Sequence, residues 1–149
     1  MPIVKMLVGL PASGKSTYAG KYARIGWRVI SSDSIREELF GDASIQKEPN
    51  KVFARMLEHL EISMNNNENI IIDATNLTVK NRAFFLQTIA NYSYTVVAII
   101  FNTSLEECKK RNSERKRQVP IEVIEYMAGK IELPSKNEGF EIIDFYHNL

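Results

Sequence analysis

The sequence predicts an α/β domain: a parallel five-stranded sheet with helices on both faces. Three observations carry that expectation. Strand-length apolar runs alternate with helix-length amphipathic ones along the whole chain. Residues 3–8 and 69–73 are apolar on both faces, as strands covered on both sides must be, and 94–101 is rich in β-branched residues. Between the first strand and the first helix lies a glycine-bearing turn, Gly9 to Thr17, that fits the spacing G-x-x-x-x-G-K-[ST].

The elements follow in order. The first helix opens at Lys15 and runs to Arg24, before Gly26. Residues 27–30 make a short second strand leading into Ser31, Ser32, Asp33 and Ser34. Such small polar residues cap a helix N-terminus, and the helix 35–40 closes at Gly41 and Asp42. From Pro49 to Met64, the residues Val52, Phe53, Met56, Leu57, Leu60 and Met64 fall on one stripe that belongs in the core, and Asn65 to Asn67 stop it. The third strand, 69–73, ends in a carboxylate. Thr78 caps the next helix, which is expected to turn Val79, Phe84, Phe85 and Ile89 inward. After the fourth strand, Ser104 caps a helix running into a basic stretch that ends at Arg117. Pro120 then opens a helix reaching about Gly129, and the loop 134–139 leads to a fifth strand at 140–145.

At 149 residues the chain reads as one domain, 1–149, without repeats or low-complexity linkers. A formal net charge of +1 argues against wholesale wrapping by nucleic acid and leaves room for a local basic patch. No apolar run is long enough to span a membrane, and the N-terminus lacks both a basic region and a long apolar one, so a cytoplasmic protein is expected. Cys108 stands alone and excludes a disulfide framework. With His59 and His147 far from it in sequence there is no zinc spacing, and it reads as a structural thiol.

In open parallel sheets ligands bind beyond the carboxyl ends of the strands, which selects the residues to weigh. Gly9, Pro11, Ala12, Ser13, Gly14, Lys15, Ser16 and Thr17 form a phosphate cradle. The glycines let the backbone turn and aim its N–H groups inward, where they join the positive end of the helix. Lys15 reaches the β- and γ-phosphates of a nucleotide, and the Ser16 hydroxyl is a Mg²⁺ ligand. Asp33 follows strand two. It is either a helix cap, a role its serine neighbours fill as well, or a carboxylate accepting a proton from an incoming hydroxyl. Arg36, three residues on, shares its helix face and suits an anionic group of the acceptor. Asp73 is either a turn former, with Asn76 in an Asx-turn, or the acid that orients Mg²⁺ and its waters. Arg111 and Arg115 are expected one helical turn apart on a lid over the phosphates, where they would neutralise a transferring phosphoryl group. Lys109, Lys110, Lys116 and Arg117 read as electrostatic padding, or as a solvated helix face.

Together these residues resemble the bacteriophage-type P-loop polynucleotide kinases that act on 5′-hydroxyl ends. The resemblance covers nearly the whole chain. It rests on the Gly9–Thr17 loop, Ser32-Asp33-x-x-Arg36, Ile71-Ile72-Asp73-Ala74-Thr75-Asn76-Leu77, Arg82, and Arg111-Asn112 with Arg115 ahead of Val119-Pro120-Ile121. It implies a P-loop NTPase/kinase-like fold with a basic helical lid over about 104–130. It also implies transfer of the γ-phosphate of ATP, with Mg²⁺, to the 5′-hydroxyl of DNA or RNA. Asp33 would then be the general base, Arg36 the contact to the acceptor-strand phosphate, and Arg111 and Arg115 the lid arginines, with Arg117 the neighbouring register for the second. No two aspartates stand two apart, so the D-x-D-x-T phosphatase of some family members is not expected. Two other readings stay open: a kinase for a nucleoside, sugar or antibiotic hydroxyl, and a slow ATPase acting as a nucleotide-binding switch.

Overall fold

The computed structural model describes residues 1–43 and 48–146; His147 lies outside them. Five strands, β1 (Ile3–Val8), β2 (Arg28–Ser31), β3 (Ile70–Asp73), β4 (Thr95–Phe101) and β5 (Ile142–Tyr146), form one sheet in the order β2-β3-β1-β4-β5. Every neighbouring pair is parallel. The helices are α1 (Lys15–Ala23), α2 (Ser32–Phe40), α3 (Pro49–Asn65), α4 (Val79–Ile89), α5 (Leu105–Ser113) and α6 (Ile121–Ala128), with a 3₁₀ turn at Lys136–Glu138. The expected α/β parallel five-stranded architecture is the one observed. Among the described residues no helix is long and apolar enough to cross a membrane.

The two-residue period of a strand divides the core. Val4, Met6, Ile70, Ile72, Val96 and Ala98 point to one side, where α2, α3 and α4 supply Ile35, Met56, Leu60, Phe85 and Ile89. Leu7, Ile71, Val97, Ile99 and Phe101 point to the other, against Tyr18 and Ala19 of α1. Lys5 also lies on the α1 side. It survives there because its Nζ donates to the hydroxyls of Tyr18 (3.0 Å) and Tyr22 (2.7 Å) and lies 4.2 Å from the Tyr22 ring centroid.

Ser31, Thr78 and Ser104 cap α2, α4 and α5 by accepting from the N–H of Ser34, Asn81 and Glu107. The phase of α4 departs from the expectation. Phe85 and Ile89 are buried, but Val79 and Phe84 are exposed, and the inward positions between are taken by Arg82 and Leu86. The inward stripe is therefore 82, 85, 86 and 89, a helical repeat whose first member is an arginine with no exposed surface. Phe84 instead lies edge-on to Phe53, with ring centroids 5.7 Å apart. The fifth strand also starts late, because Phe140 leaves the ladder to fill the core. α5 ends at Ser113, so the basic stretch is not one helix: residues 114–120 form a loop between α5 and α6. The two helices are joined by Lys109, which pairs with Glu125 (3.2 Å) of α6 and Glu106 (3.7 Å) of α5.

The guanidinium of Arg82 donates from Nε and Nη2 to the two carboxylate oxygens of Glu138, at 2.8 and 3.2 Å, and from Nη1 to the carbonyl of Asn76 at 2.9 Å. Removing one partner of such a buried pair leaves an uncompensated charge or unmade hydrogen bonds. Arg82→Ala should cost about 3–5 kcal/mol, which lowers the melting temperature by roughly 10 °C. An unchanged thermal unfolding curve would contradict this assignment. In the same assay Phe85→Ala should cost about 3–5 kcal/mol and Phe84→Ala about 1 kcal/mol or less. Equal losses would mean that the helix phase is wrong.

Candidate functional site

The loop between β1 and α1 gets its shape from two glycines with different duties. A Cβ on Gly9 would stand 2.8 Å from Ser13 Oγ and 2.9 Å from Phe101 Cβ, so only glycine lets the loop lie against β4. Gly14, at φ 107°, supplies the left-handed turn from which α1 starts. Ala12 is also left-handed, at φ 64°, a conformation that costs a non-glycine residue about 1 kcal/mol and is held by the loop around it. Further bonds fix the loop: Gly9 N–H donates to Thr75 O (3.0 Å), Ser13 N–H to Leu10 O (3.2 Å), and the Thr103 hydroxyl to Ser13 O (2.9 Å). No side chain caps α1 and no acid occupies its first turn, which leaves the positive helix end for an anion.

Lys15 is buried beneath this loop. Its Nζ donates to Leu10 O (2.6 Å), Gly9 O (3.0 Å) and Ser13 Oγ (3.4 Å). Burial pushes its pKa down to about 8, against the pull of Asp73 and Asp33. Asp73 is also buried, and the same desolvation raises its carboxyl above the usual range, offset by Lys15. Its Oδ2 accepts from Ser16 Oγ at 3.4 Å. The side-chain bonds of the following turn come from Asn76, whose Nδ2 donates to Leu7 O (2.7 Å) and Ala74 O (3.3 Å). Asp73 is therefore not the turn former. Asp73 and Ser16 both line the cleft.

Asp33 is not a cap either, since Ser31 does that work. Its Oδ1 accepts from Arg36 Nη1 at 3.0 Å and its Oδ2 from Arg117 Nη2 at 2.8 Å. Arg36 is thus paired with Asp33 rather than free. Arg117, expected to be padding, reaches from the loop between α5 and α6 to α2. Arg111 and Arg115 do not share a helix, but both face the cleft. Arg111 Nε donates to Glu107 (3.2 Å). Arg115 Nη2 donates to Asn112 Oδ1 (3.0 Å), while its Nε is buried without a partner. Burial lowers its pKa, and the nearby charge of Arg117 lowers it further.

Asn112 organises the loop. Its Nδ2 donates to Val119 O (2.7 Å) and its Oδ1 accepts from Val119 N–H (2.9 Å), closing the chain between α5 and α6. The sequence offered one signal for this, an asparagine inside a basic helix just ahead of Val119-Pro120. Cys108 is buried, with burial raising its thiol, and its Sγ lies 3.8 Å from Thr103 O, as a structural thiol should.

These elements enclose a cleft of about 670 Å³. Pro11, Ala12, Gly14, Lys15, Ser16 and Thr17 line one side, and Asp33, Arg36, Asp73, Arg111 and Arg115 also face it. Gly9 and Ser13 are not on its surface; they hold the loop from behind. Phe53, Val123 and Met127 add an apolar wall that sequence reasoning assigned to the core or left unplaced. Oxygen donors at Ser16 and Asp73 suit Mg²⁺, which takes one or two protein ligands and completes its shell with phosphates and water. No group of three or more acidic, histidine or cysteine residues able to hold a metal occurs among the described residues.

A family model described as an AAA domain matches residues 4–134. The chain is 27% identical over 147 residues to the L-seryl-tRNA(Sec) kinase of Methanococcus maripaludis, covering 93% of this chain and 56% of that protein. It is 25% identical over 130 residues to an inferred bifunctional polynucleotide kinase/RNA ligase of Autographa californica nuclear polyhedrosis virus, covering 78% of this chain and 18% of that protein. It thus spans about half or less of these relatives. A sugar kinase structure from Janibacter superposes with a TM-score of 0.70 at 17% identity, over 97% of this chain and 86% of that one. With the match running from the first strand past α6, the chain belongs to the AAA_33 family of AAA domains and has the P-loop kinase fold.

Proposed function

We propose that this chain is an ATP-dependent phosphotransferase acting on the 5′-hydroxyl end of a polynucleotide, with residues about 104–130 as its lid. The observation that carries the reading is the carboxylate of Asp33, held between the guanidiniums of Arg36 and Arg117 at the cleft that the phosphate loop also lines. A kinase needs one carboxylate facing the transferring phosphoryl group, and an acceptor of repeating negative charge needs arginines around that carboxylate. One relative is named for a seryl-tRNA and the other for a polynucleotide, which supports an acceptor carried on a nucleic acid.

The chemistry follows from the chain's own groups. Phosphate oxygens of ATP take the loop amides and the N-terminus of α1, and compete with Leu10 and Gly9 carbonyls for Lys15 Nζ. The negative charge they bring offsets the desolvation that depresses this lysine. Ser16 and Asp73 would hold Mg²⁺, which supplies neutralisation of charge on the donor phosphates. Each Asp33 oxygen has a second lone pair beyond its arginine, free to accept the proton of the attacking hydroxyl. As that oxygen bonds to the γ-phosphorus and the bond to the β-γ bridging oxygen breaks, Arg111 and Arg115 meet the charge spread over the phosphoryl oxygens. The unpaired Nε of Arg115 is a donor with no other buried partner to satisfy it.

Transfer of labelled γ-phosphate from ATP to an oligonucleotide with a 5′-hydroxyl tests the reading; an unlabelled oligonucleotide beside a labelled nucleoside or sugar would give the site to a small acceptor instead. Asp33→Asn should reduce kcat by about 10²- to 10⁴-fold, and full activity would remove Asp33 from the mechanism. Arg115→Ala should cost about 10³-fold or more in kcat with a folded protein by circular dichroism. Raising salt from about 50 to 200 mM should lift the acceptor KM roughly tenfold for an oligonucleotide, whereas a flat response would argue for a neutral acceptor.

A further inference from the structure

The bridge between Arg117 and Asp33 joins the lid loop to α2 across 84 residues of sequence. Both sides of Arg117 are pinned. Gln118 Nε2 donates to the carbonyls of Ser113 (2.9 Å) and Arg115 (3.2 Å), and Asn112 holds Val119 by two hydrogen bonds. The loop therefore presents two arginines with different destinations. Arg115 folds back onto Asn112 at the α5 end, and Arg117 crosses to the carboxylate on α2. There it meets Arg36, so that two guanidiniums share one carboxylate and the trio carries a net positive charge.

This trio is poorly balanced as a structural lock. The side chains of Arg117, Arg36 and Asp33 are 35%, 17% and 40% exposed, and ion pairs so open to water hold weakly. Each guanidinium has five N–H donors. The contact to Asp33 uses a single terminal nitrogen of Arg36 and a single one of Arg117, which leaves donors for a second anion. Both arginines line the cleft, as do the amide side chains of Asn81 and Gln118. A phosphodiester oxyanion entering beside Asp33 finds two planar cations converging from opposite elements, the arrangement that binds phosphate by a fork on each side.

We infer that Arg117 is a specificity-determining residue: with Arg36 it forms a two-armed clamp for the phosphodiester next to the reacting 5′-hydroxyl, selecting polynucleotides over neutral acceptors. This rests on the polynucleotide reading above. The clamp couples recognition to chemistry. An acceptor with the phosphodiester draws both guanidiniums toward it and places its hydroxyl against the Asp33 carboxylate, whereas a neutral acceptor has nothing to draw them.

The experiment is a four-cornered comparison of kcat/KM. The native enzyme and Arg117→Ala are each assayed with a 5′-hydroxyl oligonucleotide and with its twin, in which only the first linkage is an uncharged methylphosphonate. The native enzyme should lose about 10- to 100-fold on neutralisation of that linkage, since charge-assisted hydrogen bonds are lost. Arg117→Ala should already be down about tenfold on the charged substrate, mainly through KM, and its further loss on neutralisation should be about tenfold smaller than the native one, the remainder being what Arg36 holds alone. Arg117→Lys should recover part of both, because it restores the charge without the fork. A merely structural arginine would lower activity on both substrates alike. If Arg117→Ala pays the same methylphosphonate penalty as the native enzyme, the clamp is refuted while the polynucleotide reading stands. If the native enzyme labels neither oligonucleotide, that reading falls by the native data alone and the clamp falls with it.

Discussion

A guanidinium with no exposed surface governs how this site is assembled. Arg82 cannot lose its charge and cannot reach water, so its neighbours must supply acceptors. It obtains them from the backbone of Asn76 and from Glu138. These two partners lie far apart in the chain, one in the turn after β3 and the other just before β5. Asn76 in turn ties that turn to β1 through Leu7 O, and Gly9 N–H adds a second tie at Thr75 O. The phosphate loop, the carboxylate at the end of β3 and the approach to β5 are thereby held by one chain of hydrogen bonds. A buried ion pair of this kind is weak evidence for net stability. Its effect is on uniqueness, because each alternative arrangement strands a charge.

The cleft that results collects groups whose charged forms are costly to hold. Burial depresses Lys15 and raises Asp73, and each is the other's main offset. Arg115 is also lowered by burial and by Arg117 beside it. Groups kept in that condition sit where an incoming anion or cation repays the desolvation, which is how perturbed residues mark a functional cleft. The left-handed Ala12 belongs to the same account, as local strain at the one loop that must aim its amides inward.

Much of this was legible in the sequence because it is local. The apolar periods place β1, β3 and β4, the hydroxyl residues Ser31, Thr78 and Ser104 mark helix starts, and the spacing from Gly9 to Ser16 specifies a turn that few other sequences make. What escaped is what depends on distant partners. The stripe on α4 was misphased because its leading inward residue is an arginine, whose acceptor at Glu138 is 56 residues away. Arg117 looked like one charge in a run until the fold brought Asp33 to it. The basic stretch read as continuous helix because nothing local announces that Asn112 captures Val119 and breaks it after Ser113.

That break has a chemical consequence. Had α5 continued through Arg117, Arg111 and Arg115 would share one face, while Arg117, two residues beyond Arg115, would project about 200° around the helix from it. Ending the helix at Ser113 lets residues one apart from Lys116 diverge toward different partners while both stay at the cleft. Two arginines from a single short loop then reach different partners at one cleft. Arg115 stays with Asn112 of α5, and Arg117 goes to the helix that carries Asp33. The backbone of the loop is fixed by amide side chains: Asn112 binds both the N–H and the carbonyl of Val119, and Gln118 binds the carbonyls of Ser113 and Arg115. Arg117 thus meets Asp33 from a loop whose backbone is held independently of that ion pair.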